Sequence, residues 1–192
     1  MLYYLTGKLI QKKENYFILE TSGFGLQIFV SATTLKSLPE AGNIINIFTH
    51  LHIKEDAWDI YGFFSKPELE FFEKLLSVNG VGPKTALNIL NIDTAERLMA
   101  AINEGRVDLL TKASGIGKKT AERVVVELKG KFGQIDSGEI AGIMESDSDI
   151  MDVLQNLGYT KAQAKQAISK VDSKIKNIED RIKAALKILK NV

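Results

Sequence analysis

The 192-residue chain has no cysteine, only three prolines, two histidines and a single tryptophan. Without cysteine it has no disulfide framework, no thiol nucleophile and no cysteine-based zinc or iron–sulfur site. No run of eighteen apolar residues occurs, so no membrane-spanning helix is expected. The opening Met1-Leu2-Tyr3-Tyr4-Leu5-Thr6-Gly7-Lys8 lacks a signal-peptide pattern, and a cytoplasmic protein is the expectation. His50 and His52 share one face of a strand, with Glu55 and Asp56 nearby, but no defined third ligand accompanies them, and no metal is expected. Any strong surplus of charge is also missing: 25 Lys and Arg stand against 24 Asp and Glu. A uniformly basic surface is thereby excluded, and any nucleic-acid binding must depend on where particular lysines point.

What the chain does have is a sentence said twice. Val78-Asn79-Gly80-Val81-Gly82-Pro83-Lys84-Thr85-Ala86 returns as Ala113-Ser114-Gly115-Ile116-Gly117-Lys118-Lys119-Thr120-Ala121, displaced by 35 residues. Each copy lies between apolar-periodic segments: Phe71, Phe72, Leu75, Leu76 and Val78 precede the first, and Ala86, Leu87, Ile89 and Leu90 follow it. Val107, Leu109 and Leu110 precede the second, and Ala121, Val124, Val125 and Leu128 follow it. Each copy therefore reads as helix, tight Gly-x-Gly turn, helix. Gly80 suits a left-handed cap, and Pro83 suits a first helical turn. The first amides of such a helix are unsatisfied and carry the positive end of its dipole, so they attract an anion. One such turn is a weak signal that ordinary helix packing also produces; two, with lysine at the same offset, point to phosphate binding. The predicted contacts are the amides at Gly80, Gly82, Gly115 and Gly117, the cations Lys84, Lys118, Lys119 and Arg123, and the hydroxyls of Thr85 and Thr120. A nucleotide P-loop is excluded, because Lys119 separates Gly117-Lys118 from Thr120 and Lys112 stands where the earlier glycine is required. The chain itself is not expected to bind ATP.

The rest of the chain falls around this repeat. Residues 1–63 read as strands, with Leu5, Leu9, Tyr16, Ile18, Leu26, Ile28, Val30, Ile45, Ile47, Phe48, Leu51 and Ile53 in short alternating runs between glycine turns. About five strands in this length suit a small closed barrel, of OB or SH3-like type. Ser65-Lys66-Pro67-Glu68 starts a helical region, residues 64–133, in which Leu98, Met99 and Ile102 are expected in the core. Residues 134–147 carry four acids and no base, and read as a flexible tether. Residues 148–192 recover helical patterning: Ile150, Val153, Leu154 and Leu157 form a stripe ended by Gly158, Thr160-Lys161-Ala162-Gln163 forms a capping box, and Asn177 caps a third helix with Ile178, Ile182, Ala185, Leu186 and Leu189 on its inner face. The basic residues here, including Lys161, Lys165, Lys170, Lys174, Lys176 and Lys183, are spread around the helices and read as a solvated surface. Lys54-Glu55-Asp56-Ala57 reads as a solvated turn between strands, and Trp58 and Tyr61 as barrel packing.

These strings together resemble the RuvA family, the Holliday-junction-binding subunit of the bacterial branch-migration machine. The resemblance is carried by Leu38-Pro39-Glu40-Ala41-Gly42, Phe48-Thr49-His50, Glu55-Asp56-Ala57, Tyr61-Gly62-Phe63, Asn79 to Lys84 and Gly115 to Arg123. It implies an α+β multidomain chain: an N-terminal OB-fold barrel over 1–63, tandem helix-hairpin-helix motifs over 64–133, a flexible acidic linker over 134–147, and a three-helix UBA-like module over 148–192. It further implies that Glu55 and Asp56 form an acidic pin at the centre of a four-way junction. The implied partners are junction DNA, a RuvB-like motor ATPase docking on residues 148–192, a RuvC-like junction resolvase, and further copies of the chain in tetramers or face-to-face octamers. No cofactor is implied for this chain; ATP and magnesium belong to the motor. Two other readings stay open on the sequence. A helix-hairpin-helix glycosylase or lyase needs an acid–lysine constellation facing an extruded base, and none stands out. A general duplex-binding module would bind linear and four-way DNA equally.

Overall fold

Five strands close into a barrel in the order β1-β2-β3-β5-β4: β1 Tyr4–Lys12, β2 Tyr16–Thr21, β3 Phe24–Phe29, β4 Ile44–Ile53 and β5 Trp58–Phe63. All neighbours are antiparallel except β3 and β5, which run parallel and complete the closure. The barrel is OB-like, and a short helix α1 (Ala32–Ser37), capped by Ser31, links β3 to β4. This is a computed structural model, and it describes residues 2–132, 147, 149–171, 175 and 177–190. The expected linker lies outside the described residues except for Asp147, and so do Lys174 and Lys176.

Leu5, Leu9, Ile28, Val30, Ile45 and Ile47 fill the barrel as their alternation predicts. In β2 the phase is the opposite of the one expected: Phe17 and Leu19 are fully buried, while Tyr16 and Ile18 are only half-buried. Tyr16-Phe17-Ile18-Leu19 is apolar throughout, so period two gives no choice of face; pairing with β1 and β3 decides it. Ile53, expected among the inward residues, is 62% exposed at the far end of β4.

Helices α2 (Lys66–Leu76), α3 (Pro83–Leu90), α4 (Ala95–Glu104), α5 (Val107–Leu110) and α6 (Lys118–Leu128) follow. They form one compact unit with the barrel. Phe72 of α2 is the joint: its ring lies 5.3 Å from Tyr61 and 4.8 Å from Phe63, and His50 of β4 meets it edge-on while sharing a 3.1 Å polar contact with Glu73. Asn91, just past α3, accepts the Ala32 N–H at 2.7 Å and thereby caps α1 from the helical side. Leu98, Met99 and Ile102 are buried in the helical core as expected. Among the described residues no cluster of histidines and carboxylates is suited to a metal, and no helix is long and apolar enough to cross a membrane.

Ser65 caps α2 by accepting the Glu68 N–H at 3.3 Å, and the Glu68 carboxylate accepts the Phe64 N–H in return. Burial pushes the Glu68 carboxyl above its ordinary pKa; the charge of Glu96 adds to the rise, and the hydrogen bonds oppose it. The folded chain thus favours the protonated form, so this site's contribution to stability is greatest in acid and is lost as pH rises through the folded pKa. Glu68→Gln, which keeps the acceptor for Phe64, should therefore melt no lower than wild type at neutral pH. Its advantage should close as pH falls through the carboxylate range. A lower melting temperature at neutral pH would contradict this account.

The C-terminal unit has helices α7 (residues 149–156), α8 (Lys161–Ile168) and α9 (Ile178–Lys190) around a small core of Ile150, Leu154, Ala164, Ala167 and Ala185. The capping box at Thr160 and Gln163 forms, and Asn177 accepts the Glu179 N–H at 2.8 Å. The expected stripe on α7 is narrower than its pattern. Ile150 and Leu154 are buried, but Val153 and Leu157 are exposed, as is Ile178 on α9. Val153 sits at the stripe's margin, and Leu157 lies at the helix end, where Gly158 turns the chain away with φ 92°. Asp147, assigned to the tether by composition, is helical and ion-pairs with Arg181, which is 2% exposed.

Candidate nucleic-acid interface

The repeat folds as two matching hairpins. Gly80 and Gly115 take φ of 90° and 84°, a left-handed conformation that glycine adopts without steric cost. Each turn is closed in the same way: the Val81 N–H donates to Val78 O at 3.0 Å, and the Ile116 N–H donates to Ala113 O at 3.3 Å. Val81 and Ile116 are buried and anchor the turns to the core.

Gly82 and Gly117 are a different case. Each is the N-cap of the following helix, with ordinary extended backbone: φ −91° and ψ 173° for Gly82, φ −85° and ψ 164° for Gly117. Any residue adopts these angles, and a Cβ added at either position would meet nothing within 4 Å. The fold therefore places no demand for glycine at either position. Neither helix start receives a side-chain cap. With Pro83 lacking an N–H, α3 presents the amides of Lys84 and Thr85, and α6 presents those of Lys118, Lys119 and Thr120. Among the described residues, no side chain caps these two electropositive helix ends.

The cations stand around these ends. Lys84, Lys118 and Lys119 are exposed, and Thr85 and Thr120 are half-buried. Lys118 makes a loose surface pair with Glu122 at 3.9 Å, worth about 1 kcal/mol at most. Lys84 and Lys119 make no ion pair among the described residues. Arg123, predicted as a phosphate ligand, points its Nη1 to the other hairpin and donates to Asn79 O at 3.0 Å. The two hairpins adjoin: a Cβ on Gly80 would lie 3.9 Å from Arg123 Nη1, and one on Gly115 would lie 4.0 Å from Thr85 Oγ1. The ten predicted hairpin residues are therefore gathered into one double-headed surface.

Glu55 and Asp56 lie elsewhere, at the tip of the β4–β5 hairpin, both exposed. The turn is closed by the Lys54 N–H donating to Ala57 O at 2.9 Å. Lys54 does not neutralise the tip, because its ammonium is held by Asp59 at 3.1 Å. Burial first, and then the charge and hydrogen bonding of Asp59, push the neighbouring Tyr61 hydroxyl up to about 12, so it stays neutral beside that pair. Tyr61 packs inside, though not in the barrel core as expected: it is buried between the barrel and α2, its ring 5.7 Å from Phe29 and 5.3 Å from Phe72. Trp58 does not: it is 76% exposed and stands opposite Ile53 as the last cross-strand pair below the tip. Trp58 lies before the buried run of β5, which begins at Ile60 and continues to Phe63.

One participant is not evident from the motif alone. Asn88 of α3 donates its Nδ2 to Ser114 O at 2.8 Å, tying the turn of the second hairpin. The signal was available in the repeat, since Asn88 and Arg123 are themselves separated by the same 35 residues.

Comparisons with known proteins follow the same divisions. Models of the RuvA N terminal domain, the SAM-like helix-hairpin-helix tandem and the RuvA C-terminal domain match residues 1–62, 72–131 and 148–190. The chain is 42% identical over 193 residues to the Holliday junction branch migration complex subunit RuvA of Thermoanaerobacter sp. (strain X514), covering 98% of this chain and 99% of that protein. It is 43% identical to the protein of that name from Caldanaerobacter subterraneus subsp. tengcongensis, with coverage of 98% and 99%. The one from Dehalococcoides mccartyi (strain CBDB1) is 37% identical over the whole of both chains. With barrel, paired hairpins and terminal module matched in order and at full length, the chain belongs to the RuvA family.

Proposed function

We propose that this chain is a non-catalytic subunit that binds four-way DNA junctions and presents them to a motor ATPase for branch migration in recombination and repair. The observation that carries the reading is the pair of uncapped helix starts, each opened by a glycine that the fold does not require. A phosphate oxygen fits there, accepting from two or three amides with lysine beside it. Such contacts hold the backbone and read no bases, so binding depends on shape and on salt. Gly80, Gly82, Lys84 and Thr85 grip one stretch of backbone; Gly115, Gly117, Lys118, Lys119 and Thr120 grip another.

Four arms are matched by four protomers about a fourfold axis, each offering two hairpins to one arm. Glu55 and Asp56 would then gather at the centre, where carboxylates repel phosphates and keep strands apart. Residues 148–192 would dock a RuvB-like ATPase, and the exposed Val153 and Leu157 give that module an apolar surface to do so. ATP and magnesium belong to that partner, a RuvC-like resolvase would share the junction, and the setting is cytoplasmic. Octamers would be two such tetramers face to face.

The test is the Lys118→Ala/Lys119→Ala chain. It should fold as wild type, because both side chains are exposed. Its junction affinity should fall by about tenfold or more, and its dependence on salt should become shallower by roughly 0.9 for each phosphate no longer neutralised. Unchanged affinity would refute the site.

A further inference from the structure

We propose that Asn88 and Arg123 are positioning residues that lock the two phosphate-gripping hairpins in a fixed relation, so that both meet one duplex without rearranging. The inference rests on the phosphate-binding reading given above. Asn88 and Arg123 occupy the same place in the two copies of the repeat, and so do Asn79 and Ser114. Asn88 Nδ2 donates to Ser114 O at 2.8 Å, and Arg123 Nη1 donates to Asn79 O at 3.0 Å. Each outgoing helix therefore holds the turn of the other hairpin. Exchanging the two copies converts one brace into the other, as in a self-complementary contact between paired subunits.

The held carbonyls are well placed for this work. Each immediately precedes the left-handed glycine of its turn, Gly80 or Gly115, and lies three residues before the open cap, Gly82 or Gly117. A donor fixed at that carbonyl sets the direction in which the following amides point. The hairpins do not need the braces to fold: Val78, Val81, Leu110, Ala113 and Ile116 are already buried beneath them. Arg123 is exposed, and Asn88 is only half-buried. What the braces add is pre-organisation, which raises affinity by removing the cost of aligning two heads at once.

A positioning role and a direct phosphate contact differ in their dependence on salt. Junction affinity would be measured on the full chain with a labelled four-way junction over a series of salt concentrations. The variants are Asn88→Ala and Arg123→Gln, with Lys119→Ala as the phosphate-binding reference. Asn88→Ala should bind about tenfold more weakly at every salt concentration, with the slope unchanged. Arg123→Gln should lose affinity to a similar degree. Its slope should fall by less than half the reduction caused by Lys119→Ala, itself roughly 0.9 for one phosphate no longer neutralised. Both should melt within a degree or two of wild type, on the order expected for exposed substitutions. Since Arg123 is exposed, its variant decides the matter even if Asn88→Ala melts early. Wild-type affinity in these variants overturns the proposal. So does an Arg123→Gln slope that falls as far as that of Lys119→Ala, which would make Arg123 a phosphate ligand. Failure of the underlying reading looks different: Lys119→Ala would leave the slope of wild type untouched.

Discussion

Replacing Gly82 and Gly117 together by serine should make the protein more stable and a much poorer DNA binder. Both residues are N-caps with ordinary extended backbone, and both have open space where a side chain would go. Serine is among the best N-cap residues, and its hydroxyl accepts the amide two or three residues on; relative to glycine it contributes a few tenths of a kcal/mol per helix. The same hydroxyl would occupy the amide of Lys84 or Thr85 in α3 and of Lys119 or Thr120 in α6, and its bulk would hold a phosphate away from them. Hydrogen bonds to a charged group are worth about 1.5–3 kcal/mol each, so the loss on binding exceeds the gain on folding several-fold. The expected result is an equal or higher melting temperature with junction affinity reduced by roughly a hundredfold or more. The control is Gly80→Ser with Gly115→Ser, which forces side chains into left-handed backbone and should cost about 1–3 kcal/mol of stability at each position. If the Gly82/Gly117 variant binds junctions as wild type does, the helix ends are not the grip.

The second large effect concerns the tip of the β4–β5 hairpin. Glu55→Gln with Asp56→Asn should leave junction binding intact or tighter, and should raise affinity for linear duplex by about tenfold. Two exposed carboxylates per protomer, with Lys54 already held by Asp59, leave a concentrated negative point. A charge pair at roughly 8–10 Å in water is worth only about 0.5 kcal/mol, and salt screens it further. In the proposed fourfold assembly, four tips gathered at one centre would multiply that penalty, and it would fall on any duplex lying across the centre. Specificity for the junction would thus come partly from repulsion of the alternative. Trp58, the sole tryptophan and exposed beneath the tip, is a built-in reporter. Its emission should change when a four-way junction is added and stay nearly constant with linear duplex. A large loss of junction affinity in the carboxamide variant would contradict the pin.

What could be read from the sequence, and what could not, follows from the range of the interactions involved. The hairpins were legible because their determinants are local: a left-handed glycine, a helix start and a lysine all fall within seven residues, and they occur twice. The helix start at Ser65 and the capping box at Thr160 were legible for the same reason. The phase of β2 was not, because four consecutive apolar residues leave period two undetermined until neighbouring strands select Phe17 and Leu19. Nor could pattern show that Trp58 faces solvent while Tyr61 is buried between the barrel and α2, or that Val153 and Leu157 lie beyond the reach of so small a core. Arg123 is the instructive case. Its charge and its place beside two lysines suggested a phosphate ligand, whereas its geometry ties it to Asn79 across 44 residues. Composition and spacing report what a side chain is able to do; only the fold reports which of its possible partners is within reach.

The central claim, that two hairpins per protomer grip four-way DNA by its phosphates and shape, is tested most directly by competition. A labelled four-way junction bound to the full chain at moderate salt without ATP would be challenged with unlabelled junction and with linear duplex of equal length. The account predicts that the duplex displaces the junction only at roughly a hundredfold higher concentration, a difference of about 2.7 kcal/mol. Displacement by duplex and junction at the same concentration would contradict it, leaving a general duplex binder and an acidic tip with no part in recognition.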